Sequence, residues 1–555
     1  MENLFLIGLL GVIALVIVGY GILNNKRMLE FARKNIESGY GKASKREYKD
    51  GEFAHIAGYH NNHKPDFEID DITWNDLDMD SIYKSMDYCQ SSAGDEYLYH
   101  MLRSPKLSGD VPEDMEQLIR YYMDNPDKRL YLQMALFRCG RTGKYSIYDY
   151  LNNLDNIKGE NFNKDVWLLL LYAVAVFVMF VNFGLGVTAF VILLIYGGIT
   201  YFATKKRIEP YIMSFAYVFR VINGAKIICA VNDEALSGKQ SQMKNLTSRL
   251  ASFTRFSSIV MTPNSGSIID VILDYIRIFF HLDIIKFFQM RDQISKHWDD
   301  IDSILTIIGQ IDAYVAIASY RTYLSEYCIP DISSDARDIN AVNIYHPLLS
   351  NPVKNDIAFS RGIILTGSNA SGKSTMLKTI TVAAILAQSI NTVPADSYKA
   401  PAYRIYTSLA LSDDILAGES YYMTEIKTLK RIIDNSKMST PILACVDEVL
   451  RGTNTIERIS ASYAILTNLS KINGIILAAT HDLELADLLK DNYDNYHFEE
   501  KIEGNDILFE YKMLKGMATT RNAIKLLEIV GYDNAITEAA GNIAKNFEQT
   551  GKYSL

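Results

Sequence analysis

The stretch Thr366-Gly-Ser-Asn-Ala-Ser-Gly-Lys-Ser-Thr375 decides how the C-terminal part of this chain folds. It fits the pattern glycine, four residues, glycine-lysine-serine, which is typical of a phosphate-binding loop. The apolar residues 362–365 before it predict a buried strand, and residues 376–387 after it have the composition and period of a helix. Gly367 and Gly372 let the backbone turn so that its N–H groups converge on phosphate oxygens at the positive end of that helix.

The residues of this loop are the candidate nucleotide ligands. Lys373 is expected to reach the β- and γ-phosphates, and the hydroxyl group of Ser374 is expected to bind Mg²⁺. A nucleotide and Mg²⁺ are therefore predicted to bind here. The predicted binding set from the loop is Gly367, Ser368, Asn369, Ala370, Ser371, Gly372, Lys373, Ser374 and Thr375.

An acidic pair, Asp447-Glu448, directly follows the apolar run 441–446, which predicts a second buried strand. We assign Asp447 to Mg²⁺. Glu448 is expected to orient or deprotonate the attacking water, because phosphoryl transfer depends on positioning and charge stabilisation. The alternative is a pair of acids that begins a helix and suits its dipole.

A third apolar run, residues 474–479, ends in Thr480-His481-Asp482. A histidine at the carboxyl end of a parallel strand lies where ligands bind in open α/β sheets. We therefore interpret His481 as a catalytic residue that senses the γ-phosphate or its water. The alternative is that His481 only opens a helix capped by Asp482.

These segments resemble the ATPase domain of MutS proteins, the mismatch-repair branch of the ABC-type ATPases. Residues 366–375 resemble the family loop TGPNMGGKST, and residues 447–455 resemble its DEIGRGTST. Residues 479–485 resemble ATHYFEL, and residues 418–426 resemble GRSTFMVEM. The resemblance implies an ATP-hydrolysing α/β P-loop domain and, for the family, ATP-dependent sensing of mismatched or damaged DNA.

In this family the serine of the fourth motif reaches the nucleotide of the neighbouring subunit. The resemblance therefore implies that Ser420 acts in trans and that the protein is a homodimer with composite sites. The residues alone also allow a hydroxyl group on an ordinary amphipathic helix, and Glu419, Tyr421 and Tyr422 depart from the family pattern. His346 is a candidate for lining the adenine pocket, with a purely structural role as the alternative.

Composition sets limits on the partners and the compartment. A chain of 555 residues suggests two to four domains. Its net charge of −9 argues against electrostatic binding of nucleic acid over a broad surface. The five cysteines show neither metal-ligand spacing nor a paired framework, as expected for a reduced compartment.

Two uncharged apolar segments predict insertion in a lipid bilayer. Residues 4–23 are long enough to span it, and their basic neighbours follow the run, whereas a cleavable signal peptide carries such residues in front. Residues 166–203, broken around 182–184, predict two more spans, about 166–181 and 185–203; a buried soluble hairpin is the alternative. Lysine and arginine residues flank both ends of this hairpin, so its ends are expected in the cytoplasm.

The predicted protein is thus a multi-pass protein of the cell membrane with its N-terminus outside and its ATPase domain in the cytoplasm. Its predicted fold is an α/β P-loop (ABC-type, MutS-like) ATPase domain preceded by an all-α lever or core region, which a transmembrane hairpin interrupts. The resemblance to MutS is faint over this helical region and absent over the apolar segments. The predicted domains are an N-terminal anchor (1–25), a linker (26–72), a first helical region (73–160), the hairpin (165–204), a second helical region (205–330) and the ATPase domain with a C-terminal helix-turn-helix (335–545).

Two functions of different classes follow. The first is a membrane-anchored MutS-like ATPase that senses mismatched DNA, with DNA as the partner that the resemblance implies. The second is an ATP-driven conformational switch that acts on an unidentified membrane or protein partner and binds no DNA. An ABC-type transporter is disfavoured, because the Leu-Ser-Gly-Gly-Gln signature is missing and three spans leave too little for a pathway.

Overall fold

A computed structural model gives the architecture of the chain. The residues that the structure describes are 2–48, 52–109, 111–142, 147–152, 163–231, 233–251, 275–333, 337–368, 371–409, 421–451, 453–503, 506–518 and 523–550. The helices are α1 (Glu2–Gly39), α2 (Glu52–His55), α3 (Gly58–Asn62), α4 (Asp71–Asp76), α5 (Met79–Met86), α6 (Ser92–Arg103), α7 (Glu113–Asp124), α8 (Pro126–Cys139), α9 (Ile147–Asn152), α10 (Asn163–Val181), α11 (Phe183–Ala230), α12 (Ser237–Arg249), α13 (Leu282–Lys296), α14 (Trp298–Tyr323), α15 (Lys373–Ile390), α16 (Tyr421–Asn435), α17 (Thr455–Leu469), α18 (Leu483–Leu488), α19 (Ala523–Val530) and α20 (Asn534–Thr550). The strands are β1 (Asp331–Ile332), β2 (Ile339–Ile344), β3 (Asn355–Phe359), β4 (Ile363–Thr366), β5 (Ser397–Ala400), β6 (Arg404–Ser408), β7 (Ile442–Asp447), β8 (Gly474–Ala479), β9 (Asp494–Glu503) and β10 (Asp506–Lys515).

The chain divides into two compact units, and each is built from separate stretches of sequence. The first comprises Met1–Lys64, Met86–His100 and Glu113–Tyr323. The second comprises Pro65–Ser85, Met101–Pro112 and Leu324–Leu555. The domain limits predicted from sequence do not follow this division, because they assign 65–85 and 101–112 to the N-terminal regions.

Hydrogen bonds explain why the segment 65–85 belongs to the second unit. The Asp76 carboxylate accepts hydrogen bonds from the Thr407 hydroxyl group at 2.6 Å and from the Leu409 amide at 3.0 Å, at the end of β6. Arg431 Nη1 donates to Asp70 at 2.5 Å. Such long-range polar contacts leave no periodic pattern in a sequence, so the boundaries could not be read from it.

The second unit is organised around a six-stranded sheet with the order β10-β9-β4-β8-β7-β6. All neighbouring pairs are parallel except β9 and β10, which are antiparallel. The central strand β4 is fully buried, which explains its uninterrupted apolar sequence, since parallel strands are covered on both faces. A second sheet has the order β1-β5-β2-β3. The mixed α/β architecture predicted for this part of the chain is confirmed.

The first unit is helical, and α14 forms its interior. Ile308, Ala313 and Ile317 of this helix are fully buried. The buried Asp312 carboxylate accepts hydrogen bonds from the Gln90 and Ser91 amides at 3.0 and 2.8 Å. These bonds satisfy oxygen atoms that would otherwise be costly to bury, and burial raises the pKa of Asp312 to about 7.

Helices α10 and α11 form the hairpin expected from the sequence. Asn182 separates them and caps α11, since its side chain accepts a hydrogen bond from the Leu185 amide at 3.1 Å. Tyr172 donates to the Leu193 carbonyl at 2.9 Å across the pair. The second helix continues to Ala230, well beyond the predicted end of its span at residue 203, and it contains Pro210 in its interior.

Among the described residues, three helices are long and apolar enough to cross a membrane, namely Asn163–Val181, Phe183–Ile208 and Trp298–Tyr323. The third is mostly buried within the protein, whereas the first two are mostly exposed. The predicted anchor, residues 4–23, lies in α1, and the side chains of residues 2–18 are outside the described part of the structure.

Candidate functional site

The carboxyl ends of three adjacent parallel strands form the candidate site. Strands β4, β8 and β7 are neighbours in the sheet. Their ends lead into the glycine-rich loop after Thr366, into Thr480-His481, and into Asp447-Glu448. Because parallel strands end at the same edge of a sheet, side chains that are distant in sequence meet there.

The two loop glycines adopt backbone conformations that other residues rarely reach. Gly367 has φ of 141° and Gly372 has φ of 102°. A Cβ atom on Gly367 would lie 2.9 Å from Ser371 Oγ, and that hydroxyl group donates to the Ser368 carbonyl at 2.8 Å. The loop therefore closes on itself at the start of α15. The predicted contacts Asn369 and Ala370 lie outside the described residues.

Lys373 places a buried positive charge inside the loop. Its Nζ donates hydrogen bonds to the carbonyl groups of Gly367 at 2.8 Å and Ser368 at 2.7 Å. Burial lowers the pKa of the Lys373 ammonium group. The Ser368 Oγ atom is buried and has no hydrogen-bond partner among the described residues. Thr375 follows at the exposed first turn of α15.

Ser374, at the start of α15, lies beside Asp447, at the end of β7. The Ser374 hydroxyl group donates to Asp447 Oδ2 at 2.5 Å. The other carboxylate oxygen, Asp447 Oδ1, is buried without a partner among the described residues. Mg²⁺ prefers oxygen ligands from one or two carboxylates and hydroxyl groups beside phosphates. An orphaned carboxylate oxygen next to a hydroxyl group therefore fits this ion.

The Glu448 carboxylate is held on both sides. His481 Nε2 contacts its Oε1 atom, and Arg451 Nε lies 2.9 Å from its Oε2 atom. The hydrogen bond from His481 is the main cause that lowers the pKa of Glu448. The carboxylate is therefore ionised, as a group that accepts a proton from water must be.

His481 points into the site. Its Nδ1 atom lies 2.9 Å from the Gly367 carbonyl. Asp482 is the N-cap residue of α18, but its side chain makes no capping hydrogen bond and instead pairs with Arg458 at 2.7 Å. The ring of His481 thus connects the glycine-rich loop to Glu448, which a residue that merely opens a helix need not do.

A cavity of about 410 Å³ lies beside the loop. His346 lines it, and burial lowers the pKa of His346 to about 4, so the ring is uncharged at neutral pH. Tyr511 lines the same cavity, and its ring carbon Cδ1 would lie 3.1 Å from a Cβ atom on Gly372. Apolar and aromatic walls with a few polar groups are typical of ligand cavities. Phe498, Leu349 and Met376 also line it.

Sequence reasoning missed Tyr511 and Arg451, and a third predicted site residue, in addition to Asn369 and Ala370, lies outside the described part of the structure. Tyr511 belongs to an edge strand far along the chain, and no local pattern connects it to the loop. Arg451 lies within the quoted acidic segment, three residues after Glu448, and that spacing was the available signal. Ser420 lies outside the described residues, directly before the first residue of α16.

The sheet order and the residues at its carboxyl edge define an α/β domain of the ATPase type. Comparisons with known proteins agree, since residues 363–548 match the family model for MutS domain V. The DNA mismatch repair protein MutS of Lactobacillus helveticus is 30% identical over 279 residues, which are 48% of this chain and 32% of that protein.

Two further relatives show similar identity and coverage. MutS of Clostridioides difficile is 31% identical over 282 residues, covering 48% of this chain and 29% of that protein. MutS protein homolog 4 of Mus musculus is 32% identical over 288 residues, covering 48% and 29%. The chain thus spans about a third of the length of the curated relatives that it matches. The similarity to the MutS family thus covers the C-terminal part of the chain, and residues 363–548 match its domain V.

Proposed function

We propose that this chain is a MutS-like ATPase that binds and hydrolyses ATP with Mg²⁺. The observation that carries the proposal is the pair Ser374–Asp447, with its unpartnered carboxylate oxygen, next to the buried Lys373. A phosphate chain and a divalent cation are the ligands that match these charges. The neighbouring cavity with His346 is proposed for the adenine base.

The residues take distinct roles in this proposal. Lys373 exchanges its carbonyl partners for phosphate oxygens, and the loop amides bind the same phosphates. Ser374 and Asp447 would hold Mg²⁺, which supplies charge neutralisation when bound. Glu448 orients the attacking water and accepts its proton, and His481 orients Glu448 and senses the γ-phosphate.

We further propose a homodimer in which Ser420 completes the site of the neighbouring subunit. Mixing two inactive variants tests this directly. A Lys373→Ala subunit retains Ser420, and a Ser420→Ala subunit retains its own loop. If Ser420 acts in trans, mixed dimers contain one complete site and recover turnover. If the mixed variants form dimers but do not recover turnover, the site is built within one chain.

We propose that the hairpin α10–α11 is inserted in a lipid bilayer, with α1 as a further anchor and the ATPase domain in the cytoplasm. The outward side chains support this, because Phe177, Phe180, Ile192 and Ile195 are between 60% and 86% exposed. A continuous apolar surface of this kind is unusual on a soluble protein and marks a membrane or protein contact.

The family resemblance suggests sensing of mismatched DNA as the ATP-dependent activity. A second candidate is a conformational switch that acts on the membrane or on a membrane partner. The continuity of α11 favours it, since one helix runs from the hairpin into the first unit, where Phe215 and Phe219 are fully buried. A helix shared by a bilayer-inserted hairpin and a protein core couples movement of that core to the membrane.

Two assays on purified, nanodisc-reconstituted protein test these proposals. Mg²⁺-dependent ATP turnover is expected, and protein that neither retains nor cleaves ATP would refute the ATPase. Binding to matched and mismatched duplexes is then measured over a salt series, because electrostatic contacts to DNA weaken with salt. Tighter binding to the mismatched than to the matched duplex supports DNA sensing. If the protein binds neither duplex at low salt, the conformational switch is the remaining candidate.

A further inference from the structure

The turn that carries Glu448 has an unusual backbone. Glu448 and Leu450 have φ angles of 50° and 59°, although neither is glycine. Side chains with a Cβ atom rarely adopt this region, and such residues persist only where surrounding groups hold them. The direction of the Glu448 side chain therefore depends on what holds this turn.

Three elements hold it, each through a different residue. The Glu448 amide donates to the Ala479 carbonyl at the end of β8, at 3.0 Å. The Ser462 hydroxyl group of α17 donates to the Val449 carbonyl at 3.1 Å. The Leu450 amide donates to Oε1 of Glu425, which belongs to α16. Of these three, only the Glu425 contact uses an ionisable side chain.

Glu425 is a buried carboxyl group, and one of its two oxygen atoms lacks a hydrogen-bond partner among the described residues. The residue is 6% exposed, and the atom without a partner there is Oε2. Burial raises the pKa of Glu425, and the nearby charge of Glu448 raises it further. Leaving a buried polar atom unpaired costs free energy, so such a residue calls for an explanation beyond packing.

We propose that Glu425 is a positioning residue for hydrolysis, which holds the Leu450 amide and thereby keeps the strained Glu448 turn in place. This inference rests on the ATPase function proposed above. Glu425 itself contacts neither the loop nor the proposed Mg²⁺ ligands in the described contacts. Its effect reaches the chemistry through the backbone of residues 448–450.

Steady-state turnover of three variants tests the inference. Glu425→Gln keeps an oxygen acceptor for the Leu450 amide, and we expect its kcat within about twofold of the wild type. Glu425→Ala removes the acceptor, and we expect kcat to fall about 10- to 100-fold, the size of effect that a misplaced catalytic group produces. The KM for ATP is expected to change less than about threefold, because the loop is untouched. Glu457→Gln, an exposed carboxylate on α17, is the matched control for loss of charge.

Further measurements separate positioning from folding. In a Glu448→Gln background, Glu425→Ala is expected to cause no additional loss, because the group that it positions is already disabled. If Glu425→Ala does not fold, Glu425→Asp serves instead, since its shorter side chain falls short of the Leu450 amide. A Glu425→Gln variant as slow as Glu425→Ala, or a Glu425→Ala variant with wild-type kcat, would overturn the inference. Wild-type protein without ATPase activity would instead refute the proposed function itself.

Discussion

The Ser374 hydroxyl group donates a 2.5 Å hydrogen bond to Asp447, which joins the start of α15 to the end of β7. The partners lie 73 positions apart in sequence, yet both are proposed Mg²⁺ ligands. The same carboxylate has a free oxygen among the described contacts.

Asp447→Asn is expected to raise the Mg²⁺ concentration for half-maximal turnover about tenfold and to lower kcat about 100-fold, because the amide keeps the hydrogen bond but loses the charge. Turnover is measured over a Mg²⁺ titration, and binding of a fluorescent ATP analogue is measured in parallel with EDTA. Asp434→Asn, an exposed carboxylate, is the control. An unchanged Mg²⁺ dependence would rule out Asp447 as a ligand.

Lys373→Ala is expected to abolish detectable nucleotide binding and turnover while the protein remains folded. Burial lowers the pKa of Lys373, which means that the folded protein loses free energy of folding by burying this charge. Alanine at this position removes that loss. Thermal unfolding should therefore occur at an unchanged or higher temperature. Lys437→Ala, at an exposed position, is the matched control. Normal nucleotide affinity in Lys373→Ala would contradict the loop assignment.

His481→Ala is expected to shift the acid limb of the pH profile of kcat/KM to higher pH. The hydrogen bond from His481 is the largest cause that lowers the pKa of Glu448, so its removal lets that pKa rise. The stabilisation from this contact is present above the ordinary carboxyl pKa and is lost as pH falls through the lowered one. His297→Ala, in the first unit, is the control. An acid limb at the same pH as in the wild type would show that His481 does not lower the pKa of Glu448.

His346 is expected to act as an uncharged group throughout the neutral range, because burial lowers its pKa to about 4. The ratio of the Kd values of His346→Phe and wild-type protein for an ATP analogue should therefore stay constant between about pH 6 and 8. Using a ratio cancels the titration of the nucleotide phosphates. A ratio that changes around pH 6.5 would show that His346 titrates with its ordinary pKa.

In a variant that lacks the proposed N-terminal anchor (residues 1–25), arginine at two outward hairpin positions is expected to release the protein from membranes. Val174 and Ile192 are 56% and 60% exposed, and an arginine near the middle of a span costs about 2.5–3.5 kcal/mol. The measurement is the fraction that resists alkaline carbonate extraction. Leucine at both positions is the control. An equal resistant fraction in the arginine variant would place the hairpin outside the bilayer.

Much of the candidate site was predictable because each part is a local pattern. Lys373, Ser374, Asp447 and His481 each follow an apolar strand, and parallel strands end at one edge. Their spatial order was not predictable, since β8 lies between β4 and β7 although it comes last in sequence. Pairing order depends on packing between distant segments, and no short window of sequence records it.

The contacts that complete the site came only from the tertiary structure. Glu425 reaches the Leu450 amide from another helix, and Tyr511 approaches Gly372 from an edge strand. Neither residue has a distinctive neighbourhood in the sequence. Their importance depends on how far a side chain extends between elements, which only the three-dimensional arrangement specifies.

Local sequence was enough to predict the glycine-rich loop, the buried strands and the two apolar hairpin helices, because composition and period act over a few residues. The tertiary structure decided that segments 65–85 and 101–112 belong with the sheet, and that α11 runs unbroken from the hairpin into a helical core. The physical reason is range: backbone preference is local, whereas burial and hydrogen bonding join residues that the chain keeps far apart.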